Sequence, residues 1–477
     1  MKKNELYKVE IINMSSDGNG VAFLDGIPIF IPYSSIGDEA VIRIERVEKR
    51  YCYGRIVDLV SPSIHRINVD CPLFEKCGGC SFRHINYTEE LRAKRQFVID
   101  ALQRIGKIDQ TVNEILFTDK IDQYRNKAQF PIGNNDGHLF HGFYAPRSHR
   151  LLYFPAACKL QPSIYDEVAK TACSILENHN CSAYDEQNHV GLVRHILVRQ
   201  SSISNKILVS FIINGSSLPD QEQIVSELVS EFPNITSISI DINTQKGNTI
   251  LTPNYKTIYG DSFIEDEILG VPVNITPLSF FQINHSSTEL LYSTIKEMVS
   301  ELRPRSVIDL YCGAGTIGLA VTSDNQDLYG IEIIPDAISS AISSAEKMGR
   351  KNAHFICGDS GEIKTFIDKG EIPDLIITDP PRKGCSPEVL EQIIRSDCAN
   401  LIMVSCNAAT LARDLQILVH NGYEINTIQP LDMFPRTKHV ETVCRLYHQK
   451  KEFISVPYEP KNADYLKQHK PNFPNEI

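Results

Sequence analysis

The chain contains no apolar stretch that is both long enough and sufficiently free of charge to span a bilayer. Its start, Met1-Lys2-Lys3-Asn4-Glu5-Leu6, lacks the apolar core of a secretion signal, so a cytoplasmic protein with no membrane partner is expected. Net positive charge is also missing: 48 Lys and Arg against 59 Asp and Glu leave −11. The bulk basic footprint of a nucleic-acid binder is therefore absent, although a local basic patch on an acidic protein remains compatible with RNA. No internal repeat is present. What the chain does have is 477 residues of ordinary globular composition, 42% hydrophobic and 22% charged, enough for two or three domains. Thirteen cysteines without a secretion signal do not suggest a disulfide framework. Metal, cluster or catalytic use is expected for some of them and simple burial for the rest.

Residues 1–62 read as a small all-β domain. Val9–Ile11, Gly20–Phe23, Ile27–Ile31, Ala40–Ile44 and Gly54–Val57 are short strands between Asp, Gly and Pro turns, which suits a barrel of OB type. Arg43, Arg46, Lys49, Arg50 and Arg55 are interleaved with Tyr51 and Tyr53, a pattern suited to phosphate pairing and base stacking on single-stranded RNA. A solvated strand face explains it equally well, because Glu45 and Glu48 cancel part of the charge. Residues 63–300 read as an α+β domain, with helices over Glu89–Ile105 and Asp220–Glu231 and strands at His195–Val198 and Ile207–Phe211. From 301 to 456 strand and helix patterns alternate, as in a doubly wound parallel sheet. Residues 457–477 are rich in Pro, Lys and Asn and read as a flexible tail.

Cys71-x5-Cys77-x2-Cys80 is a tight group of thiols suited to zinc or an iron–sulfur cluster, either of which wants a fourth ligand. Cys158 is the first choice and His84 the second, and His84 would favour zinc. Spacing alone does not choose the metal.

The C-terminal part carries the chemistry. Ser306–Leu310 is a strand, Cys312-Gly313-Ala314-Gly315-Thr316 a tight turn, and Ile317–Ala320 the start of a helix. The next strand, Leu328–Glu332, ends in an acid able to accept both hydroxyls of a ribose. A dinucleotide competes as ligand, but the glycines lack a pyrophosphate-binding continuation, and another strand ends in Thr378-Asp379-Pro380-Pro381. Further on, the apolar run Leu401–Val404 delivers Ser405-Cys406-Asn407 to a sheet edge, and Glu441 opens the strand pattern Thr442–Leu446. A thiol beside a methyl donor suits methylation of a pyrimidine carbon. Uracil C5 is a poor nucleophile; adding a thiolate to C6 makes an enolate that can take a methyl group, and a base must then remove the C5 proton. Cys406 is the candidate nucleophile and Glu441 the candidate base. A buried structural thiol is disfavoured by the polar Ser405, Asn407 and Thr410, and a surface role for Glu441 by its place on a strand.

Three resemblances follow. Asp17-Gly18-Asn19-Gly20-Val21-Ala22, Phe30-Ile31-Pro32 and Ile36-Gly37-Asp38-Glu39 resemble a TRAM domain. The acid-Gly-x-Gly turn with a fourth-strand Asp-Pro-Pro resembles the class I methyltransferase pattern, which implies a Rossmann-like fold with a seven-stranded doubly wound sheet, S-adenosylmethionine as cofactor, and an adenine contact at Asp359. The third is the closest. Phe281-Gln282-Ile283-Asn284, Asp309–Gly315, Asp379–Gly384, Ser405-Cys406-Asn407 with Thr410–Leu415, and Asp432-Met433-Phe434-Pro435 with Thr437, His439, Val440 and Glu441 are similar to the bacterial RNA uracil-5-methyltransferase family, whose members make 5-methyluridine in 23S rRNA or tRNA.

That resemblance places the nucleophile at Cys406, the base at Glu441, and cofactor contacts at Gln282, Tyr311, Glu332 and Asp379. It implies a 4Fe–4S cluster on Cys71, Cys77, Cys80 and Cys158. Ala408 departs from the family, which usually has proline there, and the loop holding Cys406 is expected to be looser for it. Cytosine-C5 enzymes resemble a pattern with a second cysteine directly after the fourth-strand proline, absent here, so uracil is favoured. Tyr124-Arg125-Asn126-Lys127 and His141-Gly142-Phe143-Tyr144 with Arg147 also match and suit a base displaced from its stack. The expected protein is a monomeric enzyme acting on 23S rRNA, favoured by the TRAM-like start and the cluster cysteines. The alternatives are a tRNA uracil-5-methyltransferase and a non-catalytic iron–sulfur RNA-binding protein.

Overall fold

The computed structural model describes residues 1–153 and 156–448. The tail expectation at 457–477, and Phe154-Pro155 just before Cys158, lie outside the described residues. The chain forms two compact units, the first made of Met1–Phe117, Pro380–Ile394 and Leu401 onward, the second of Thr118–Asp379 and Arg395–Asn400.

In the first unit, β1 (Leu6–Glu10), β2 (Asn13–Met14), β3 (Asn19–Leu24), β4 (Ile27–Pro32), β5 (Glu39–Val47) and β6 (Cys52–Ser61) form a six-stranded sheet in the order β1-β5-β6-β4-β3-β2. Alternation gives it one buried face. Ala40, Ile42 and Ile44 of β5 point inward with Val9, Ile11, Ala22, Ile29 and Ile31, while Val41 and Arg43 keep surface exposed. β5 and β6 run further than their apolar residues predict and carry the arginine- and tyrosine-rich stretch on their far ends. The helix Tyr87–Ala101 follows, capped by the Asn86 side chain, which accepts from the Glu89 N–H at 2.9 Å. It continues as a π-turn, Leu102–Gly106.

In the second unit, β7 (Lys127–Asn135), β8 (His138–Tyr144), β9 (Leu151–Tyr153), β10 (Val193–Gln200), β11 (Ile207–Ile213), β12 (Ile235–Ile242) and β13 (Tyr255–Gly260) form a seven-stranded sheet in the order β13-β12-β11-β10-β7-β8-β9. The helix Ser163–Asn178 lays Tyr165, Val168, Ala169, Ala172, Cys173 and Leu176, at helical spacing, on Phe130, Ile196, Val198, Val209 and Phe211. The hairpin β14 (Ile264–Ile268) and β15 (Val271–Ile275) packs on Leu208, whose side chain points to the opposite face.

The third large sheet holds β16 (Ser306–Leu310), β17 (Asp327–Glu332), β18 (Ala353–Cys357), β19 (Leu375–Thr378), β20 (Asn400–Ser405), β21 (Tyr423–Leu431) and β22 (Glu441–His448), in the order β18-β17-β16-β19-β20-β22-β21. β16 pairs in parallel with both β17 and β19, so the chain reverses its winding direction at β16. That is the doubly wound architecture, with ligand positions at the C-terminal strand ends. β21 and β22 are antiparallel. The connection between them, Asp432–Val440, is shorter than the dozen or so residues a parallel crossover needs. Among the described residues no helix is long and apolar enough to cross a membrane.

Candidate active site

The cofactor half lies within the second unit. Asp309 of β16 is buried, and its Oδ2 accepts from the Gly318 N–H at 3.0 Å, holding the start of the following helix against the strand. Burial pushes its carboxyl up to about 7; the Gly318 bond opposes this, while Asp379 and Glu332 add to it. The turn itself passes through Tyr311 at φ 63°, Gly313 at 54° and Gly315 at 72°. A side chain at Gly315 would meet the Phe355 ring at 2.7 Å, so glycine is required there for packing as well as for dihedral angle. Glu332, the last residue of β17, accepts from Gly313 N–H at 3.2 Å through Oε2 and from Ile334 N–H at 2.9 Å through Oε1, which holds its carboxylate beside the turn. Asp379 follows β19; burial pushes it up to about 6. Tyr311, Glu332 and Asp379 thus sit at the C-terminal ends of adjacent parallel strands.

Asp359 is exposed and caps a short 3-10 turn, accepting from the Gly361 N–H at 2.8 Å. Gln282 lies on a segment strapped to Tyr124–Lys127: Asn126 donates to the Gln282 carbonyl at 2.8 Å and, through its backbone, to the Ile283 carbonyl at 3.0 Å. Tyr124 and Asn126 are buried, so part of this expected RNA-contact segment is structural. Lys127 keeps some exposure, and burial and the neighbouring Arg199 hold its amine down at about 8.

The chemical half lies within the first unit. Cys406 directly follows β20 and is half-buried. Its two neighbours fix the loop: Ser405 Oγ accepts from the Asn407 N–H at 3.2 Å, and Asn407 caps the helix Ala408–His420 by accepting from Ala409 N–H at 3.0 Å. Asn407 and Thr410 both donate to the Arg382 carbonyl, at 3.0 and 3.4 Å, and an Arg382 nitrogen meets Nε2 of His439 at 3.4 Å. With these bonds in place, Ala408 is simply the first helical residue, and the loop is held without the proline. Glu441 is the first residue of β22, the sheet neighbour of β20, and is 4% exposed. Asp414, within the Thr410–Leu415 motif, accepts from the Cys385 N–H at 2.9 Å, and Arg413 donates to the Lys383 carbonyl at 2.9 Å. These two motif residues brace the loop after Asp379-Pro380-Pro381. Arg382 as a shared tie was not legible, since nothing in a sequence reveals a backbone carbonyl's partners.

The metal expectation is not supported by the geometry. Burial raises the Cys80 thiol; Arg83, hydrogen-bonded to it, opposes this, and Cys71 and Cys77 are near enough to add to the rise. Arg83 also reaches both Asp70 oxygens, at 2.9 and 3.1 Å. Among the described residues no group of three or more His, Cys, Asp or Glu side chains could hold a metal ion. The alternative ligand, His84, is a packed core residue: Nε2 meets the Ser34 carbonyl at 3.1 Å, its ring lies 5.4 Å from Phe74, and burial holds it down at about 4.

A doubly wound sheet with an acid–glycine turn, a second-strand glutamate and a fourth-strand Asp-Pro-Pro defines an S-adenosylmethionine-dependent methyltransferase, and the donor set at Glu332 and the glycine turn fits that cofactor. The chain belongs to the tRNA (uracil-5-)-methyltransferase family, whose model matches residues 86–450; a TRAM domain matches residues 2–57. It is 38% identical over 455 residues to an uncharacterized RNA methyltransferase of Clostridium tetani, covering 95% of this chain and 99% of that one. An uncharacterized RNA methyltransferase of Oceanobacillus iheyensis is 36% identical over 448 residues, 94% of this chain and 97% of that one. Among solved structures, the Pyrococcus abyssi tRNA (uracil-54, C5)-methyltransferase in complex with S-adenosyl-L-homocysteine aligns with a TM-score of 0.72 and 25% identity, over 92% of this chain and 100% of that one. The protein is an RNA methyltransferase.

Proposed function

We propose that this enzyme methylates C5 of a uridine in 23S rRNA through a covalent bond between Cys406 and C6. The observation that carries the reading is the arrangement at the end of β20: a thiol on a loop fixed by Ser405, Asn407 and Arg382, with Glu441 opening the neighbouring strand β22. The Cys406 thiolate adds to C6, and the electrons of the C5=C6 bond move toward O4. S-adenosylmethionine, when bound by Gln282, Tyr311, Glu332 and Asp379, supplies the methyl group that C5 takes. Glu441 then removes the C5 proton, the C5=C6 bond re-forms, and the sulfur leaves as thiolate. Asp359 is kept as an adenine contact by the fold resemblance alone.

The TRAM domain supports RNA as substrate, and ribosomal RNA is favoured by the family resemblance alone. A second reading, tRNA, is supported by the Pyrococcus abyssi structure, whose own substrate is tRNA. Tritium release from RNA labelled at uracil C5, with protein-free 23S rRNA and tRNA in parallel, separates them. Release from rRNA alone is the expected result. Release from tRNA alone keeps the mechanism and overturns the substrate, and release from neither overturns uracil C5 as the target. An iron–sulfur cluster on Cys71, Cys77, Cys80 and Cys158 stands as a separate proposal supported only by thiol spacing and family resemblance. No step passes through it, and iron and sulfide analysis after anaerobic purification tests it.

A further inference from the structure

The connection between β21 and β22, which leads into Glu441, is anchored by a buried charge cluster that the chemistry above does not use. The helix Tyr87–Ala101 turns Glu90 and Lys94 inward, one turn apart, and both are fully enclosed. Lys94 Nζ lies 2.7 Å from Glu90 Oε1, 2.8 Å from Asp432 Oδ1 and 3.1 Å from the Phe434 carbonyl, so all three ammonium donors are engaged. Tyr87 donates to the other Asp432 oxygen at 2.9 Å. Glu90 Oε1 also accepts the Arg436 backbone N–H at 2.6 Å, and the Arg436 guanidinium stands 3.6 Å from Glu90 Oε2. The Arg436 carbonyl in turn accepts from the Ser81 and Phe82 N–H groups at 2.8 and 3.2 Å.

Arg436 sits at φ 68°, a left-handed conformation that a residue with a side chain rarely adopts. Both of its backbone polar groups are held by residues 81–90, so surrounding structure over-determines the strain. A buried ion cluster adds little stability over well-packed apolar residues. What this one adds is direction: among the described residues the side-chain hydrogen bonds and ion pairs of Glu90 and Lys94 outside their own helix fall on Asp432, Phe434 and Arg436. The Cys406 loop is fixed through the Arg382 carbonyl, which Asn407 and Thr410 both reach, and the Arg382 side chain meets His439 beyond the Asp432–Arg436 stretch at 3.4 Å.

We propose that Glu90 and Lys94 are positioning residues for the base: they hold the Asp432–Arg436 segment so that β22 starts with the Glu441 carboxylate set to take the C5 proton. This rests on the proposed function. Because Asn407 and Thr410 hold the nucleophile's loop through the Arg382 backbone carbonyl rather than through Asp432–Arg436, loosening this segment slows proton removal more than thiolate addition and methyl transfer. The methylated covalent enzyme–RNA complex then accumulates.

The test compares the full-length wild type with Lys94→Met and with the double variant Glu90→Gln/Lys94→Met, which removes opposite charges together and leaves Asp432 to Tyr87 and the Phe434 N–H. Steady-state kinetics, thermal melting and denaturing gels of enzyme incubated with uridine RNA and S-adenosylmethionine are the readouts. For the folded double variant we expect kcat to fall by roughly 10-fold to 100-fold, the scale of a small misplacement of a reacting group. KM for RNA should stay near the wild-type value, and a covalent band absent from the wild type should appear. An unchanged kcat in the folded double variant overturns the proposal. So does a lower kcat with no covalent band and with capture by 5-fluorouracil RNA lost, because general disruption would do that. A wild type that neither releases C5 tritium nor is captured by 5-fluorouracil RNA instead overturns the function on which the proposal rests.

Discussion

At Gly384 an added methyl group would lie 2.5 Å from Oδ2 of Asp414 and 2.6 Å from Nη2 of Arg413, at a backbone φ of 76°. Glycine, aspartate and arginine here interlock so that one loop keeps its shape, and none of the three needs to react. Cys406 is different, because its neighbours engage one another's backbone and present it at the strand end. Replacing it by alanine removes one sulfur from a half-buried site and should cost about 1 kcal/mol of stability or less. Turnover should fall by roughly 10⁴-fold or more, as for loss of a nucleophile elsewhere. Denaturing gels of Cys406→Ala with 5-fluorouracil RNA should show no covalent complex. A complex that persists in that variant would move the nucleophile to another residue.

The strand–turn–helix that opens the cofactor half was legible almost residue by residue, because an apolar run, a glycine cluster and a helical pattern each leave a local signature. The depth at which Asp309 is buried left none: an acid at the end of an apolar strand looks the same whether it faces ligand or core. Its Oδ1 has no hydrogen-bond partner among the described residues, and burial pushes its carboxyl from 3.8 up to about 7. A raised carboxyl pKa contributes stability in full below the unfolded value near 4, and that contribution is lost as pH rises through about 7. At pH 8 the native state therefore carries the cost of an ionised, buried Asp309. Asp309→Asn, which can still accept from Gly318, should melt higher than wild type at pH 8, by on the order of 1–3 kcal/mol of stability, and should show no gain at pH 4. Melting curves of both proteins across pH 4–8 check this; a gain that does not change with pH would show that the carboxylate's ionisation is not the cause.

For the whole molecule, alternation of strand and helix patterns after residue 301 announced the doubly wound sheet, and short turn-bounded strands announced the barrel. The antiparallel β21–β22 pair was hidden, since strand direction depends on connection length and not on strand composition. The charge balance was the least decisive signal, and the structure sharpens it. On the barrel, Arg46 is tied to Glu48 at 2.8 Å and Arg55 to Glu45 at 3.3 Å, so part of the basic stretch is neutralised as the sequence suggested. Arg43 stands directly opposite Arg55 on β5 and β6, with Glu45 beside Arg55 offsetting part of the repulsion. Phe30, Tyr51 and Tyr53 form a ring cluster with centroids 5.6–5.8 Å apart, with Arg46 stacked 4.8 Å over Tyr53. Lys49 and Arg50 lie exposed at the turn joining these strands. Cations beside stacked rings suit a single strand of RNA, and a protein with net charge −11 must rely on such a local patch to hold a polyanion. The charge-reversing pair Lys49→Glu/Arg50→Glu should therefore weaken RNA binding by roughly tenfold at low salt and flatten the dependence of log K on log salt, because fewer counterions are released. Binding of S-adenosylmethionine should not change, since the residues proposed to hold it belong to the other unit. Titrations of wild type and variant at several salt concentrations read both quantities. Equal affinities and equal slopes would mean that the barrel does not track the RNA backbone and that the β5–β6 cations serve only the fold.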